Sequence, residues 1–250
     1  MEAPPERRIR LTLHYDGSAF FGWQAQPDAR TVQSELEAAL SRLAARPVAV
    51  IGAGRTDRGV HATGQVASAV MPGKWAPAAV RRALNAILPR DIWIAAADEV
   101  PLSFHARYDA VAREYEYRVG TAERSRSPFL RPYCWALAEP LDAGLLALAA
   151  EPLVGDRSFR AFAKSGQPER GERCSVEVAR WREWEAGFVL EIRANRFLHH
   201  MVRYLAGTMV DVARGRRPAE DMARLLANEP AVETSPPAPP EGLFLTRVVY

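Results

Sequence analysis

Apolar and polar residues alternate strictly along the first well-patterned segment of the chain, residues 9–15. A period of two predicts a half-buried strand, and Asp16 followed by Gly17 predicts the turn that ends it. After Thr31, which is suited to cap a helix, the period changes to that of an amphipathic helix. The apolar stripe of this helix consists of Val32, Leu36, Leu40 and Leu43.

Four further elements are predicted before residue 100. They are strands over 48–53, 65–70 and 91–97, and a helix over 78–88 that opens at Pro77, a position where proline is tolerated. The order of elements in this first part of the chain is therefore β-α-β-β-α-β.

The second part of the chain predicts the same order of elements. Its strand over 111–119 places Tyr115 and Tyr117 on one face, and Glu114 and Glu116 on the other. The remaining predicted elements are a helix over 141–150, a hairpin of 175–185 and 188–194 that turns at Ala186 and Gly187, a helix over 197–214 and a terminal strand over 243–250.

Two successive β-α-β-β-α-β units are typical of ferredoxin-like folds. We therefore predict an α+β protein with an N-terminal ferredoxin-like half over 1–106 and a C-terminal one over 107–250. The two halves are expected to form a mostly antiparallel central sheet, with helices packed on it and an active-site cleft between the halves. RNA-recognition modules have the same unit, which favours RNA binding, although a fold does not by itself define a function.

The composition is that of a soluble globular protein, with 48% hydrophobic and 25% charged residues among 250. No apolar run approaches the roughly 20 residues that span a bilayer, so we expect no membrane partner. Cys134 and Cys174 have no second cysteine at metal-binding spacing and no histidine cluster nearby. They fit neither a disulfide scaffold nor a zinc site, and a reducing, cytoplasmic location is expected.

Arginine supplies all but two of the 33 basic residues, and the exceptions are Lys74 and Lys164. Codon bias in a GC-rich genome is one explanation, because alanine is also abundant. Local clusters point to function, since arginines outnumber acids over 107–131 and over 193–224. Because arginine binds phosphate with two parallel hydrogen bonds and stacks on bases, we expect these stretches to line a path for RNA.

The most unusual stretch is the loop over 52–65, GAGRTDRGVHATGQ. Its glycines allow tight turns and the close approach of a ligand. Asp57 is its only carboxylate and stands near Arg55 and Arg58, and neighbouring cations favour the ionised form that a nucleophile needs. An aspartate near glycine also commonly just forms a turn, and the spacing alone leaves that alternative open.

Other chemistries require residues that this loop lacks. It contains no Gly-x-x-x-x-Gly-Lys phosphate loop, no dinucleotide fingerprint at the start of a helix and no Gly-x-Ser-x-Gly nucleophile motif. The five histidines of the chain never recur at a spacing of four, so no metal is expected. A phosphoryl-transfer enzyme would need a second carboxylate beside Asp57 to hold magnesium, and none is near it in the sequence.

Residues 54–62, GRTDRGVHA, resemble the signature loop of the TruA family of tRNA pseudouridine synthases, and the resemblance extends over nearly the whole chain. Position 58 is arginine where many members have a small residue, and Glu114 and Glu116 flank a tyrosine that is usually set among basic residues. The other matching segments, in the same order as in the family, are Tyr15-Asp16-Gly17, Phe21-Gly22-Trp23-Gln24, Thr31-Val32-Gln33, Asn85 with Leu88-Pro89, Phe104-His105-Ala106-Arg107, 112–117, 197–203 and Glu241-Gly242-Leu243.

The resemblance implies isomerisation of uridine to pseudouridine at positions 38–40 of the tRNA anticodon arm, by a homodimer that uses no cofactor and no metal. Asp57 matches the catalytic aspartate of the family, and Tyr115 matches the tyrosine that stacks on the target base. Arg203 matches the basic residue that pairs with the catalytic carboxylate. Arg55 matches the loop arginine that helps to hold the flipped nucleotide.

The residue types leave alternatives for several of these roles. Tyr115 could pack in the core beside Tyr117, and Arg203 could face solvent or RNA. His199 and His200 are left without a role. The main alternative function is a non-catalytic RNA-binding protein built on two recognition-like units, although a carboxylate at position 57 would repel the ligand of a pure binder.

Overall fold

The computed structural model describes residues 5–164 and 171–250. The chain forms two compact units, the first comprising Met1–Val111 with Leu245–Tyr250 and the second Ala112–Phe244. The sequence-based division lies at 106/107. The first unit thus extends past that boundary and also includes the C-terminal end of the chain.

The elements of the first unit come in the predicted order. A β-bulge against β3 lies between Leu13 and Tyr15, at the end of β1. The elements are β1 (Glu6–Tyr15), α1 (Val32–Ala44), β2 (Val50–Gly52), β3 (His61–Pro72), α2 (Pro77–Ile87) and β4 (Ile92–Val100), followed at the end of the chain by β10 (Leu243–Val249), most of which belongs to this unit.

The sheet of the first unit has β1 between β4 and β3, and both pairings are antiparallel. On the side away from β1, β3 pairs antiparallel with β2 and also neighbours β10. Along β1 the alternate residues Ile9, Leu11 and Leu13 are fully buried, as the period of two predicts. Most of β3 is buried as well, which explains why its sequence shows little alternation.

The two helices of this unit begin where their sequences predict. Thr31 caps α1, and it forms a capping box with Ser34, in which the Thr31 hydroxyl accepts the Ser34 N–H at 3.2 Å. Asn85 on α2 joins its helix to β4, because its side-chain amide donates to the Ile94 carbonyl at 2.9 Å and accepts the Ile94 N–H at 2.7 Å. In the described ranges, no helix of either unit has the length and apolarity that crossing a membrane requires.

The second unit contains the predicted elements other than the terminal strand, and three short ones that the sequence did not reveal. The missed elements are β6, β7 and α5. In order, the unit consists of β5 (Ala112–Gly120), β6 (Trp135–Ala136), α3 (Ala143–Ala150), β7 (Gly155–Ser158), β8 (Arg173–Trp184), β9 (Gly187–Ala194), α4 (Met201–Ala213) and α5 (Asp221–Leu226). Its strands follow the antiparallel order β5-β9-β8-β7, and β6 pairs parallel with β5.

Two boundaries predicted in the second unit are wrong. The helix predicted over 197–214 begins only at Met201, because His200 has φ 64°, in the left-handed region that ends regular helix geometry. The β8–β9 hairpin turns at residues 185 and 186, since Trp184 already pairs with Gly187. Gly187 is needed for a different reason: a Cβ there would lie 2.3 Å from the Val119 carbonyl oxygen.

Both cysteines are free and buried. Burial raises the pKa of the Cys134 thiol and of the Cys174 thiol to about 11. Each thiol therefore stays protonated at neutral pH and acts as a small apolar core group, without thiolate reactivity.

The capping box of α1 makes a stability prediction. Thr31→Ala should lower the free energy of unfolding by about 1 kcal/mol, because the orphaned Ser34 N–H loses its acceptor. Urea unfolding of the purified protein measures this. Thr31→Ser keeps the hydroxyl and should retain most of the stability; equal losses for the two variants would contradict the capping role.

Candidate active site

The Asp57 loop joins β2 to β3, and hydrogen bonds from the first segment of the chain fix its backbone. Thr56 is buried, and its hydroxyl lies 2.7 Å from the hydroxyl of Tyr15 at the end of β1. The carbonyl of Thr56 accepts the Trp23 N–H at 3.0 Å. A turn follows at once, in which the Val60 N–H donates to the Asp57 carbonyl at 3.2 Å. The backbone on either side of Asp57 is thus defined.

Two glycines bring a neighbouring segment into direct backbone contact with this loop. Gly22 has φ +94°, and a Cβ at that position would lie 2.7 Å from the Thr56 carbonyl oxygen. Similarly, a Cβ at Gly17 would lie 2.1 Å from the Val60 carbonyl oxygen. No larger side chain fits at either position without displacing the loop backbone. The separate motifs around Gly17 and Gly22 are therefore parts of one packed arrangement.

Two buried polar side chains of β3 form hydrogen bonds that hold the loop and its neighbouring segment. Gln65 is fully buried, and its amide nitrogen donates to the Gly54 carbonyl at 2.9 Å. His61 is also buried, and its Nδ1 accepts the Gly17 N–H at 3.0 Å. Because this Nδ1 is an acceptor, its 3.3 Å approach to the Asp16 carboxylate is not an ion pair. Sequence analysis assigned neither residue a role, although both lie in the quoted loop.

Within the loop, the predicted site residues differ in exposure. Asp57 is half-buried, whereas Arg55 and Arg58 on either side are exposed. A half-buried carboxylate on a fixed backbone has a defined position and remains accessible to a ligand. This arrangement favours a chemical role for Asp57 over a simple turn-forming one.

In the second unit, Tyr115 and Tyr117 have different environments although both lie on β5. Tyr117 is fully buried, and its hydroxyl donates to the Pro239 carbonyl at 2.8 Å. Burial raises the pKa of Tyr117 well above its usual value, so this donor stays protonated. Tyr115 is only half-buried, and its ring meets the edge of Phe197 at a centroid distance of 5.0 Å. The core role thus belongs to Tyr117, whereas Tyr115 is only partly buried.

Arg203, on the first turn of α4, is tied to the proline-rich connector that precedes β10. Its Nε–H donates to the Ala238 carbonyl at 2.7 Å, and its own carbonyl accepts the Ala238 N–H at 2.9 Å. The side chain is half-buried. The Nε–H bond orients the guanidinium, and the backbone bond joins the first turn of α4 to residue 238.

The acidic residues beside Tyr115 are neutralised by arginines of the same sheet. Glu114 pairs with Arg193 at 3.3 Å. Glu116 pairs with Arg118 at 3.1 Å and with Arg182 at 3.3 Å. Because these carboxylates are already paired, their charge opposes an approaching RNA much less than the sequence suggests.

The ion-pair network continues to the next strand. Glu191 on β9 accepts hydrogen bonds from Arg182 and Arg180 of β8. Burial alone would raise the pKa of Glu191, but these two arginines outweigh it, and the pKa lies below its usual value. The glutamates and arginines of β5, β8 and β9 therefore form a network of ion pairs across the strands, in which the opposite charges largely cancel.

The arginine-rich stretch over 193–224 is partly structural. Arg214 pairs with Glu139, and Arg217 pairs with Asp221 at 2.9 Å; both arginine side chains are only 13% exposed. Arg217 also donates to the Ser235 hydroxyl at 3.2 Å. These two arginines form ion pairs within the second unit. The basic surface available to RNA in this stretch is therefore smaller than the sequence predicts.

Comparisons with known proteins agree with the resemblance found in the sequence. A family model described as tRNA pseudouridine synthase matches residues 12–109 and 149–250. The matched ranges contain Asp57 and Arg203, and Tyr115 lies between them. Curated relatives are similar along the whole length, each called tRNA pseudouridine synthase A.

Three of these relatives illustrate the similarity. The relative from Geobacter sp. (strain M21) is 38% identical over 98% of this chain and 99% of its own length. The one from Myxococcus xanthus is 42% identical over 97% of this chain and 92% of its own length. The one from Moorella thermoacetica (strain ATCC 39073 / JCM 9320) is 41% identical over 97% of this chain and 99% of its own length.

The close approach at Gly22 makes a prediction with a matched control. Gly22→Ala should lower stability by more than 1 kcal/mol and turnover by at least about tenfold, because the new Cβ displaces the Asp57 loop. Gly215 has a similar φ of +67°, but nothing lies within 4 Å of a Cβ built there. Gly215→Ala should therefore cost only about 1 kcal/mol, with turnover retained. Thermal unfolding and steady-state kinetics distinguish the two; equal effects on turnover would contradict the packing argument.

Proposed function

The chain belongs to the tRNA pseudouridine synthase family and is an isomerase that acts on tRNA, and we propose that Asp57 is the nucleophile that converts uridine to pseudouridine at positions 38–40 of the anticodon arm. The observation that carries this proposal is the geometry of the Asp57 loop. The carboxylate is half-buried, and the residue before it, Thr56, is held by contacts with Tyr15, Gly22 and Trp23. The family membership disfavours the alternative of a non-catalytic RNA-binding protein.

The reaction explains why a fixed carboxylate is needed. The C1′–N1 glycosidic bond breaks, the uracil rotates, and a C5–C1′ bond forms; C5 then loses its proton and N1 gains one. Asp57 can act by attack at C1′, by attack at uracil C6, or by removing a proton from C2′. In each route the carboxylate must reach one atom of a nucleotide that has left its stack, so its position matters more than its basicity.

Tyr115 is proposed to stack on the flipped uracil. Unstacking a base costs a few kcal/mol, and contact with an aromatic ring repays part of that cost. The partial burial of Tyr115 supports this role, and the T-shaped contact with Phe197 supports a defined orientation of its ring. Arg55 is proposed to hold the flipped nucleotide, and its exposed position beside Asp57 supports that assignment.

The finer features of the architecture and the assembly are proposals as well. We propose that each unit is a ferredoxin-like half, and that the protein works on the anticodon arm as a cytoplasmic homodimer. For the first unit the support is the antiparallel strand order β4-β1-β3-β2 with two helices. The active-site cleft expected from the sequence stays a prediction.

The nucleophile assignment is tested by Asp57→Asn, which keeps the size of the side chain and removes its charge. Turnover should fall below detection, while tRNA affinity should be kept or should increase because one negative charge is removed. Release of tritium from tRNA labelled at uridine C5 measures turnover, and binding of the same tRNA to the purified variant measures affinity. Turnover within tenfold of wild type would refute the role of Asp57; loss of binding with loss of turnover would instead indicate a disrupted loop.

The pairing of Arg203 with Asp57 is implied by the resemblance alone and needs its own test. Arg203→Lys keeps the charge but loses the planar fork and the Nε–H bond to Ala238. The double-mutant cycle therefore uses Arg203→Ala, which removes the cation, with Asp57→Asn, and we expect a coupling energy on the order of 1 kcal/mol in thermal stability. Additive effects would mean that the two groups do not interact, and would assign Arg203 to the RNA-binding surface.

A further inference from the structure

Arg58, the residue directly after Asp57, is stacked on an exposed aromatic ring. Its guanidinium carbon lies 4.3 Å from the centroid of the Phe21 ring. Phe21 is 47% exposed, and the Arg58 side chain is exposed as well. The pair therefore forms a small basic and aromatic surface immediately beside the proposed nucleophile.

The neighbouring phenylalanine provides a comparison within the same chain. Arg30 stacks on Phe20 at nearly the same distance, 4.2 Å. Each of the three guanidinium nitrogens of Arg30 donates a hydrogen bond, however: Asp91 accepts two at 2.7 and 2.9 Å, and Glu35 accepts one at 2.9 Å. Phe20 is buried. The stack of Arg30 on Phe20 is thus a structural element of the core.

Arg58 makes the same kind of stack, but within residues 5–164 and 171–250 its guanidinium donates no hydrogen bond. Among the residues that the structure describes, no acceptor lies within hydrogen-bond or ion-pair distance of its guanidinium. A guanidinium lying on an aromatic face presents its N–H groups outward at its edge. Arg58 is therefore a guanidinium that is held in place and open to an external acceptor.

The backbone on both sides of this stack is fixed. The Phe21 N–H donates to the Arg30 carbonyl at 2.9 Å, and the Gly59 N–H donates to the Phe20 carbonyl at 3.4 Å. A Cβ on Gly22 would lie 3.2 Å from the Arg58 backbone nitrogen, so the two segments are in contact at this point. The fork of Arg58 is therefore positioned before any ligand arrives, which reduces the entropy lost on binding.

We propose that Arg58, supported by Phe21, clamps a phosphodiester group of the RNA next to the reacting uridine. The proposal rests on the assignment of Asp57 as the nucleophile of a tRNA-modifying enzyme. Phosphate oxygens match the fork of a guanidinium, and every nucleotide of the substrate carries them. The clamp also offsets the repulsion between the Asp57 carboxylate and the polyanionic substrate.

The test measures binding of an unmodified tRNA transcript to the full-length protein over a range of salt concentrations. Arg58→Ala should weaken binding about tenfold and reduce the slope of log K against log salt by about 0.7–0.9, the loss of one phosphate contact. Phe21→Ala should weaken binding by a smaller factor with the slope retained, because the charge stays but loses its support.

Arg82→Ala is the matched control, because Arg82 is an exposed arginine of α2. It should leave both affinity and salt slope unchanged. Arg58→Gln, which keeps the three-carbon stem and a polar end but removes the charge, replaces Arg58→Ala if the latter does not fold. An Arg58 variant with the affinity and slope of the control would overturn the proposal, and a lower turnover with unchanged binding would show that Arg58 only shapes the loop. Since affinity and salt slope do not depend on which residue is the nucleophile, failure of the Asp57 assignment would leave this result interpretable.

Discussion

The contact between the backbone of Gly22 and the backbone at Thr56 is the constraint on which the Asp57 site depends. With φ +94° and no room for a Cβ, Gly22 allows one segment to lie directly against the next. The Tyr15 hydroxyl and the Trp23 N–H then hold Thr56 from the same direction. A carboxylate that must meet one atom of a mobile nucleotide gains more from this rigidity than from additional charged neighbours.

The arginines of this protein fall into two groups, those that form ion pairs within the fold and those whose donors stay open to a ligand. Most arginines on the sheet of the second unit are paired with Glu114, Glu116 or Glu191, and Arg217 lies almost buried against Asp221. These pairs support the fold and leave little net field. Beside Asp57, by contrast, Arg58 keeps its donors unused within the described chain. A polyanionic substrate is therefore expected to respond most to the few open arginines.

Periodicity predicts the elements whose burial is regular, such as β1 and α1, because alternate burial or a helical stripe leaves a direct record in the sequence. The beginning of α4 was mispredicted, since the apolar pattern continues through His200 while its left-handed backbone interrupts the helix. Motif analysis identified the Asp57 loop but not its support by Gln65 and His61. That support consists of long-range hydrogen bonds, which no local pattern records.

We propose, in short, that a fixed carboxylate in the β2–β3 loop isomerises uridine in the anticodon arm. Nucleotide-resolved mapping of pseudouridine in a tRNA transcript, after incubation with the wild-type protein or with Asp57→Asn, tests this most directly. We expect pseudouridine at positions 38–40 with the wild-type protein and none with the variant. Pseudouridine at other positions, or equal amounts with the two proteins, would contradict it.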